Sequence, residues 1–336
     1  MTLFIHLRVH SQYSVGESSL NLYKIQEFIK KDSSVAIALT DTNNMFGVRE
    51  FSAIIAKQNI KPIIGVQLNI IFKGLKGNIV LLAKNENGYK NLLHLHESLY
   101  KNFKNDNEDT PYIDLDYIIQ HSQNLVLLTG GLDGLLANFI NNNSSEVESL
   151  VEKLKNAFND NLYIELNRFF LQEDVDLEKE FLTISTKYNL PIVATNNAKF
   201  IDPAYYKSTE ILTCIGEGLE LSNPNRKKLP EHSYLKSSQE MVELFKDLPE
   251  AIENTVNIAK KCNYFVDKKD LALPNFADNE NDLIKQQAID GLKDRLEKIV
   301  YKLSNNKNKE DLDKIYFDRL NFELDVIIKM GFSGYF

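Results

Sequence analysis

The sequence predicts an α/β protein whose parallel sheet is open or closed into a barrel, followed by a mainly helical segment. Short apolar runs alternate with polar loops and amphipathic patterns six or seven times before residue 196. From residue 283 onward the patterns are helical only. Because parallel strands of this kind carry functional residues at their carboxyl ends, we expect the site at the polar loops that follow the strands.

The opening stretch, Phe4–Ser14, predicts a strand with one polar face, since His6, Arg8 and His10 alternate with three apolar residues. Residues two apart on a strand lie about 6.6 Å from each other, so Arg8 and His10 could share a site. His6 and His10 would lie about 13 Å apart and could not easily chelate one ion. Arginine has no lone pair and keeps its positive charge, so Arg8 would repel a metal.

The remaining elements follow from local patterns. Apolar residues at helical spacing predict helices at Leu22–Lys31, Val48–Ile55, Tyr89–Tyr100, Glu146–Phe158, Val175–Tyr188, Ser238–Phe245 and Pro249–Cys262. Short apolar runs predict strands at Val35–Leu39, Pro62–Gln67, Leu125–Thr129, Leu162–Leu166 and Ile192–Thr195. The glycine-flanked segment Gly74–Gly77 predicts a hairpin between Leu68–Phe72 and Asn78–Ala83.

Composition narrows the class of protein. The chain has 336 residues, of which 43% are hydrophobic, enough for one large α/β domain with an appendage or for two domains. The net charge of -8 argues against tight non-specific binding of nucleic acid by this segment. Cys214 and Cys262 are too few for a disulfide framework. No run approaches the roughly 20 apolar residues of a membrane span, and Met1–Phe4 does not resemble a signal peptide, so we predict a cytoplasmic protein without membrane contact.

A change of composition predicts a domain boundary near Ala272. Two long helical patterns follow it, Leu283–Leu303 and Lys309–Met330. The last residues, Gly331–Phe336, are aromatic and glycine-rich rather than polar. We therefore expect the natural protein to continue beyond Phe336.

Several blocks of sequence together resemble one family. They are His6–Ser11, Leu39–Asp41, Asn44–Gly47, Ile60–Gly65, Gly88–Leu92, Val193–Asn196, Phe200–Asp202, Ala259–Asn263 and Glu323–Phe332. In order and spacing, these blocks resemble the alpha subunits of bacterial DNA polymerase III, the C-family replicative polymerases. The resemblance covers nearly the whole chain.

This resemblance implies a fold and a set of partners. Residues 1–272 would form a PHP (polymerase and histidinol phosphatase) domain, a distorted parallel (β/α) barrel, and residues 273–336 a linker and the start of the polymerase palm. The full-length protein would be a DNA-directed DNA polymerase using Mg²⁺ at palm carboxylates that lie later in the chain. A proofreading exonuclease subunit would dock on the PHP domain, whereas DNA, the sliding clamp and other holoenzyme subunits would contact regions outside this chain.

The resemblance also implies that the metal site of the PHP fold is degenerate here. At positions that match the family's metal ligands, His10 and Glu17 keep a ligand, whereas a non-ligand stands at the others: Arg8, Thr42, Gln67, Gly131, Asn197 and Lys199. Two ligands are too few for tight binding of a divalent ion, and two of the replacements are cations. We therefore predict no metal, cofactor or catalytic residue in this chain, and expect Arg8 and Lys199 to pair with Asp41 and Glu17.

Alternatives remain at the level of the sequence. Asp41 either belongs to the degenerate site or only caps its loop, and His6 is predicted to be a structural hydrogen-bonding residue. The segment Arg226–Lys228 is either a solvated loop, which we favour, or a contact for DNA or an acidic partner. The chain as a whole would alternatively be an active metal-dependent PHP phosphoesterase or 3′–5′ exonuclease, or an interaction module never joined to a polymerase.

Overall fold

A computed structural model describes residues 3–101, 110–224, 226, 228–267, 275–303 and 308–336. Contacts between residues separate two units, Met1–Asp267 and Lys268–Phe336. The predicted boundary near Ala272 lies outside the described residues. Each unit is described by itself below.

Seven strands form the sheet of the first unit: β1 Ala36–Leu39, β2 Lys61–Phe72, β3 Leu75–Ala83, β4 Ile113–Asp114, β5 Leu125–Leu128, β6 Leu162–Leu166 and β7 Ile192–Ala194. Their order is β1-β2-β3-β5-β6-β7, with β4 beside β2. The predicted hairpin is confirmed, since β2 and β3 pair antiparallel with Leu68 opposite Ile79. Because β3 also runs antiparallel to β5, the sheet is mixed, and all its other pairs are parallel.

The opening segment closes the sheet. His6 bridges in parallel to Ile37 of β1, and Val9 bridges in parallel to Ala198, which follows β7. The backbone N–H of His10 donates to the Ala198 carbonyl oxygen at 2.9 Å. One extended segment thus joins the two edges of the sheet, which confirms the predicted distorted barrel.

The predicted two-residue alternation of the opening segment is wrong at one point. Leu7 lies in the apolar cluster inside the barrel, whereas Val9 lies in the cluster between the sheet and the outer helices. The alternation therefore shifts at Arg8. As a result His6 does not share a face with Arg8, and its ring packs outside the barrel against Phe28, with ring centroids 6.3 Å apart.

Ten helices are described in the first unit: α1 Leu22–Asp32, α2 Val48–Ala56, α3 Glu86–Lys101, α4 Leu115–Gln120, α5 Leu135–Asn142, α6 Val147–Phe158, α7 Gln172–Tyr188, α8 Tyr206–Glu217, α9 Ser238–Leu244 and α10 Pro249–Lys261. All predicted helices of this unit are present, whereas α4, α5 and α8 were not predicted. Ser237 starts α9 through a capping box with Glu240. Arg226 pairs with Glu210 of α8 at 2.6 Å, and Lys227 lies outside the described residues.

One apolar layer lies on each side of the sheet. The outer layer packs the sheet against the helices, and each fully buried leucine or isoleucine there contributes about 1.5–3 kcal/mol. The inner layer fills the barrel, and one end is closed by Ile258 and Ala259 of α10 and by Cys262, which follows α10. The backbone N–H of Ile5 donates to the hydroxyl of Thr255 on α10 at 3.1 Å. At the opposite end, polar residues take over the inner face.

The second unit is helical. It contains α11 Glu280–Arg295, a π-helical turn Leu296–Val300, α12 Tyr301–Leu303 and α13 Lys309–Lys329. These elements confirm the two long helical patterns predicted from the sequence. Across the described parts of both units, no helix combines the length and apolar character that crossing a bilayer requires.

Candidate functional site

Polar side chains replace the inner apolar layer at the carboxyl ends of the parallel strands. Glu165 follows Tyr163 by two residues on β6, and Gln67 follows Ile63 by four on β2, so each lies on the same face as an inner apolar residue. A cleft of about 480 Å³ opens above them, lined by polar residues that include Glu17, Thr42, Gln67, Asn69, Asn78 and Lys199.

Arg8 occupies the centre of this site. It is 1% exposed, and its Nη1 lies 3.0 Å from Oε1 of Glu165, which is 0% exposed. The guanidinium also donates to Gln67 Oε1 at 3.1 and 2.6 Å, to the Gly130 carbonyl at 2.9 Å and to Asn78 Oδ1 at 3.2 Å. All five N–H positions of the fork face acceptors from β2, β3, β6 and the end of β5.

Glu165 is the functional residue that the sequence analysis missed. Its carboxylate also accepts the Gly130 N–H at 2.9 Å and the hydroxyl hydrogen of Thr195. Asn167 holds that hydroxyl in place by donating to Thr195 Oγ1 at 2.7 Å. The signal was present in the sequence, since a carboxylate within an otherwise apolar strand requires a buried partner.

The predicted pairing of Arg8 with Asp41 or Glu17 is therefore wrong. Asp41, in the loop after β1, is 1% exposed and accepts three hydrogen bonds from the loop at the end of the opening segment, from Ser11 N at 2.6 Å, Ser11 Oγ at 2.8 Å and Ser14 Oγ at 2.7 Å. Burial raises the pKa of Asp41, and these hydrogen bonds oppose the rise. Asp41 is therefore a capping residue, but the loop that it caps is the one containing Ser11 and Ser14 and not its own.

The predicted pair of Lys199 and Glu17 is confirmed. Nζ of Lys199 lies 3.1 Å from Oε2 of Glu17, which also accepts a hydrogen bond from the Thr42 hydroxyl at 2.9 Å. Burial acts to raise the pKa of Glu17, but the Lys199 charge and the Thr42 hydroxyl outweigh it and lower this pKa to about 2. This pair stands at the rim of the site, since the Glu17 side chain is 36% exposed.

His10 is buried without a strong partner. Its Nδ1 lies 3.3 Å from Ser14 Oγ and 3.4 Å from Thr42 Oγ1, while Nε2 of His10 and Oδ1 of Asn197 make no hydrogen bond of normal geometry. Burial, followed by the nearby cations Lys199 and Arg8, lowers the pKa of His10 well below its usual value. The imidazole is therefore neutral at physiological pH.

Gly131 leaves no room for a side chain. Its φ is +56°, and a Cβ built there would lie 1.6 Å from Oδ1 of Asn167. The preceding Gly130 also has a positive φ, +87°, and a Cβ there would lie 2.3 Å from the Asn78 carbonyl oxygen. Backbone and amide groups thus fill the space beside Gly131, a position that matches one of the family's metal ligands.

Residues 6–169 match the family model of the PHP domain. The chain contains a PHP domain. It is 38% identical over 341 residues to DNA polymerase III subunit alpha of Rickettsia bellii, covering 100% of this chain, and 38% identical over 340 residues to that of Rickettsia felis, covering 99%. It spans 29% and 28% of those two proteins, so these matches confirm the resemblance to the N-terminal part of such subunits.

Solved structures of other proteins match this chain with TM-scores below 0.5. An amidohydrolase from Chromobacterium violaceum has a TM-score of 0.42 and 12% identity, covering 58% of this chain and 87% of its own. A putative metal-dependent phosphoesterase from Bifidobacterium adolescentis has a TM-score of 0.39 and 11% identity, covering 59% of this chain and 88% of its own.

The donor set of this PHP domain does not fit a metal ion. Within the part of the chain that the structure describes, no group of three or more His, Cys, Asp or Glu side chains could hold one. The guanidinium of Arg8 fills the centre of the site, and its contacts engage the Glu165 carboxylate. The ammonium of Lys199 engages Glu17 in the same way. Chemistry that needs a bound divalent ion therefore lacks its ligands here.

Proposed function

We propose that this chain is the N-terminal part of the alpha subunit of a replicative DNA polymerase III, and that its PHP domain is a scaffold that hydrolyses no phosphoester. The observation that carries the scaffold role is the buried ion pair of Arg8 and Glu165, which stands where a hydrolase would need ligands. Similarity along the whole chain to alpha subunits more than three times its length supports the polymerase part of the proposal.

The proposal extends to the second unit and to the full-length protein. The helical unit Lys268–Phe336 would begin the palm, with the boundary near Ala272 as its start. DNA-templated synthesis, the Mg²⁺ ions that it uses and the contacts with DNA, the sliding clamp and other holoenzyme subunits would belong to the protein beyond this segment. Such a polymerase works in the cytoplasm.

A scaffold needs a partner, and the proposed one is the proofreading exonuclease subunit. The buried network supports this role physically, because Arg8 ties together β2, β3 and β6 through Gln67, Asn78 and Glu165. A surface whose supporting strands are already fixed loses little conformational entropy when a partner binds.

Two measurements on purified protein test the non-hydrolytic role. Elemental analysis after dialysis is expected to find no stoichiometric zinc, manganese or iron. Hydrolysis of bis(p-nitrophenyl) phosphate and release of nucleotide from 3′-labelled DNA are expected to stay at background with Mn²⁺ or Zn²⁺, equally in wild type and in the matched control His10→Ala. Metal-dependent release that His10→Ala abolishes would establish an active PHP nuclease instead.

Primer extension tests the polymerase part. The full-length protein is expected to extend a primed template with Mg²⁺ and deoxynucleoside triphosphates, whereas residues 1–336 alone are expected not to. A full-length protein that is folded but does not extend the primer would contradict the assignment and favour a separate interaction module.

A further inference from the structure

Helix α8 forms one wall of the polar cleft. Thr213 and Glu217 of this helix line the same cleft as Thr42 and Gln67 of the candidate site. Thr213 is buried, whereas the C-terminal end of the helix, residues 215–217, is exposed. Access to the cleft from this side therefore depends on the position of α8.

Unlike the other helices of the first unit, α8 is not anchored by apolar packing. Among the ten helices described there, nine contribute residues to the two apolar layers, and α8 contributes none. Its buried side chains are Thr209, Thr213 and Cys214, whereas Ile211 and Ile215 are 46% and 71% exposed. Because elements with few buried apolar contacts open at a low cost in free energy, we expect α8 to open more readily than its neighbours.

The contacts that hold α8 against the rest of the unit are made by backbone and hydroxyl groups. Gly216 packs directly against Gly16, in the loop after the opening segment, and a Cβ built on Gly216 would lie 2.8 Å from the Gly16 Cα. One turn and a half earlier, Thr209 Oγ1 lies 2.6 Å from Ser19 Oγ, within hydrogen-bonding distance. The docking of α8 therefore depends on a close backbone approach that a single methyl group would disturb.

The N-terminal end of α8 is firmly held. The Asp202 carboxylate caps the turn Pro203–Tyr205, which precedes the helix, by accepting a backbone N–H of that turn at 2.9 Å. Lys24 of α1 donates to the hydroxyl of Tyr205, also at 2.9 Å. This turn therefore stays fixed to the unit and can serve as the pivot of a motion of the helix.

The C-terminal end of α8 is held less firmly. Gly218, which ends the helix, has a φ of +65°, and among the described residues a Cβ built there would meet nothing within 4 Å. Arg226 pairs with Glu210 of α8 at 2.6 Å and donates to the Leu221 carbonyl at 2.9 Å. These two contacts join α8 to its own continuation and not to the barrel, so they do not oppose a motion of the whole segment.

We propose that α8 is a gate of the polar cleft, whose C-terminal end swings away from Gly16 about the turn Pro203–Tyr205 while the barrel stays folded. The open state exposes Cys214 and gives solvent and small molecules access to the cleft beside Thr42 and Gln67. This inference concerns a motion of the chain and does not depend on the proposed function.

The two cysteines of the chain are native probes of this gate. Cys214 lies on α8 and is 4% exposed, whereas Cys262 is 1% exposed in the inner apolar layer. Labelling of the native protein with N-ethylmaleimide, followed by mass spectrometry of its peptides, is expected to modify Cys214 first. The labelling rate of Cys214 should hardly change at low urea concentrations, because a local opening exposes little surface. Labelling of Cys262 should require global unfolding and accelerate with urea.

Gly216→Ala tests the contact that holds the gate closed. The alanine Cβ would lie 2.8 Å from the Gly16 Cα, yet alanine favours the helix, so the variant should loosen the docking without weakening α8 itself. Labelling of Cys214 should accelerate severalfold, while labelling of Cys262 and the Tm should stay close to the wild-type values. The matched control is Gly291→Ala on α11, where a Cβ would meet nothing within 4 Å among the described residues, and it should leave the labelling of Cys214 unchanged.

Hydrogen exchange gives an independent readout of the gate. The amides of α8 are expected to be at least about a hundredfold less protected than those of α10. Equal protection of the two helices, or labelling of Cys214 that rises with urea as steeply as that of Cys262, would overturn the gate, because α8 would then open only when the whole unit unfolds. Equal labelling of Cys214 in Gly216→Ala and in the wild type would overturn it as well. None of these results would affect the proposed function.

Discussion

Replacing Arg8 by methionine should strongly destabilise the first unit. Methionine keeps the apolar stem but removes the guanidinium, so Glu165 remains 0% exposed without a counter-charge. Its hydrogen bonds from Gly130 N and Thr195 Oγ1 compensate only in part, and Gln67 Oε1 loses both of its Arg8 donors. Breaking one side of a buried ion pair costs about 3–5 kcal/mol.

That loss is a large share of the total stability of about 5–15 kcal/mol expected for a domain. At about 2 °C per kcal/mol for a unit of 267 residues, Arg8→Met should lower the Tm by roughly 6–10 °C. Urea denaturation followed by circular dichroism gives the free energy of unfolding, and hydrogen exchange of the β6 amides assigns the loss to this unit.

A double-mutant cycle separates the ion pair from packing. Glu165→Gln should also destabilise, and the variant with both changes should be more stable than the sum of the single effects predicts, by about 2 kcal/mol. Arg319→Met is the control, because Arg319 and Glu323 form an exposed pair worth at most about 1 kcal/mol. Additive effects of Arg8→Met and Glu165→Gln would refute the argument that a buried charge pair holds the site.

Three further predictions concern pH and backbone geometry. Burial lowers the pKa of His6 to about 4, so the fold is stabilised by the neutral imidazole above pH 6.5. The free energy of unfolding should therefore fall by up to about 3 kcal/mol as the pH falls from 6.5 toward 4. In urea titrations, His6→Phe should reduce this dependence of the free energy of unfolding on pH. The pKa of Glu17 is lowered to about 2, so its contribution to the stability of the fold is present above pH 4.5 and is lost between pH 4.5 and 2. Glu17→Gln should lack this loss of stability in acid. An acid transition that is the same in the variant and in the wild type would contradict the prediction. Gly131→Ala should lower the free energy of unfolding by about 2–4 kcal/mol, because its Cβ would meet Oδ1 of Asn167. Gly218→Ala, also at positive φ but in open space, should lower it by only about 1 kcal/mol. Equal Tm values for the two variants would refute the steric argument.

Periodicity predicted most strands and most long helices of this chain because their patterns extend over several turns or over whole apolar runs. It missed α4 and α5, which have six and eight residues, and the two-residue strand β4, since so short a segment shows few repeats of a pattern. It also missed α8, whose twelve residues this reason does not cover. The shift of alternation at Arg8 was not predictable either. A single irregular residue in an extended segment turns one side chain into the barrel, but the alternation of apolar and polar residues in the sequence looks the same with or without it.

The sequence predicted residues of the candidate site, but only some of the pairs that these residues form. Family resemblance placed His10, Glu17 and Lys199 at the site, and the Lys199–Glu17 pair was expected from their opposite charges. The partner of Arg8 was not found, because Glu165 lies 157 residues later and local patterns carry no information about which strands meet in a barrel. The partner of Arg8 could still have been inferred from charge, because a buried arginine needs a carboxylate and Glu165 is the one carboxylate in the strand Leu162–Leu166.

Arg8 links the strands of this barrel as a bound metal ion would, because side chains from several strands contact its guanidinium. A metal links strands only while it is bound, and at a hundred times its dissociation constant it adds about 2.7 kcal/mol to stability. The covalently attached guanidinium gives the same convergence of Gln67, Asn78 and Glu165 without any ligand. The urea midpoint should therefore be the same with EDTA, with Zn²⁺ and with Mn²⁺, measured at pH 7.5 on dialysed protein. A midpoint that falls with EDTA and recovers with one of these ions would mean that an ion, and not the arginine, holds the strand ends together.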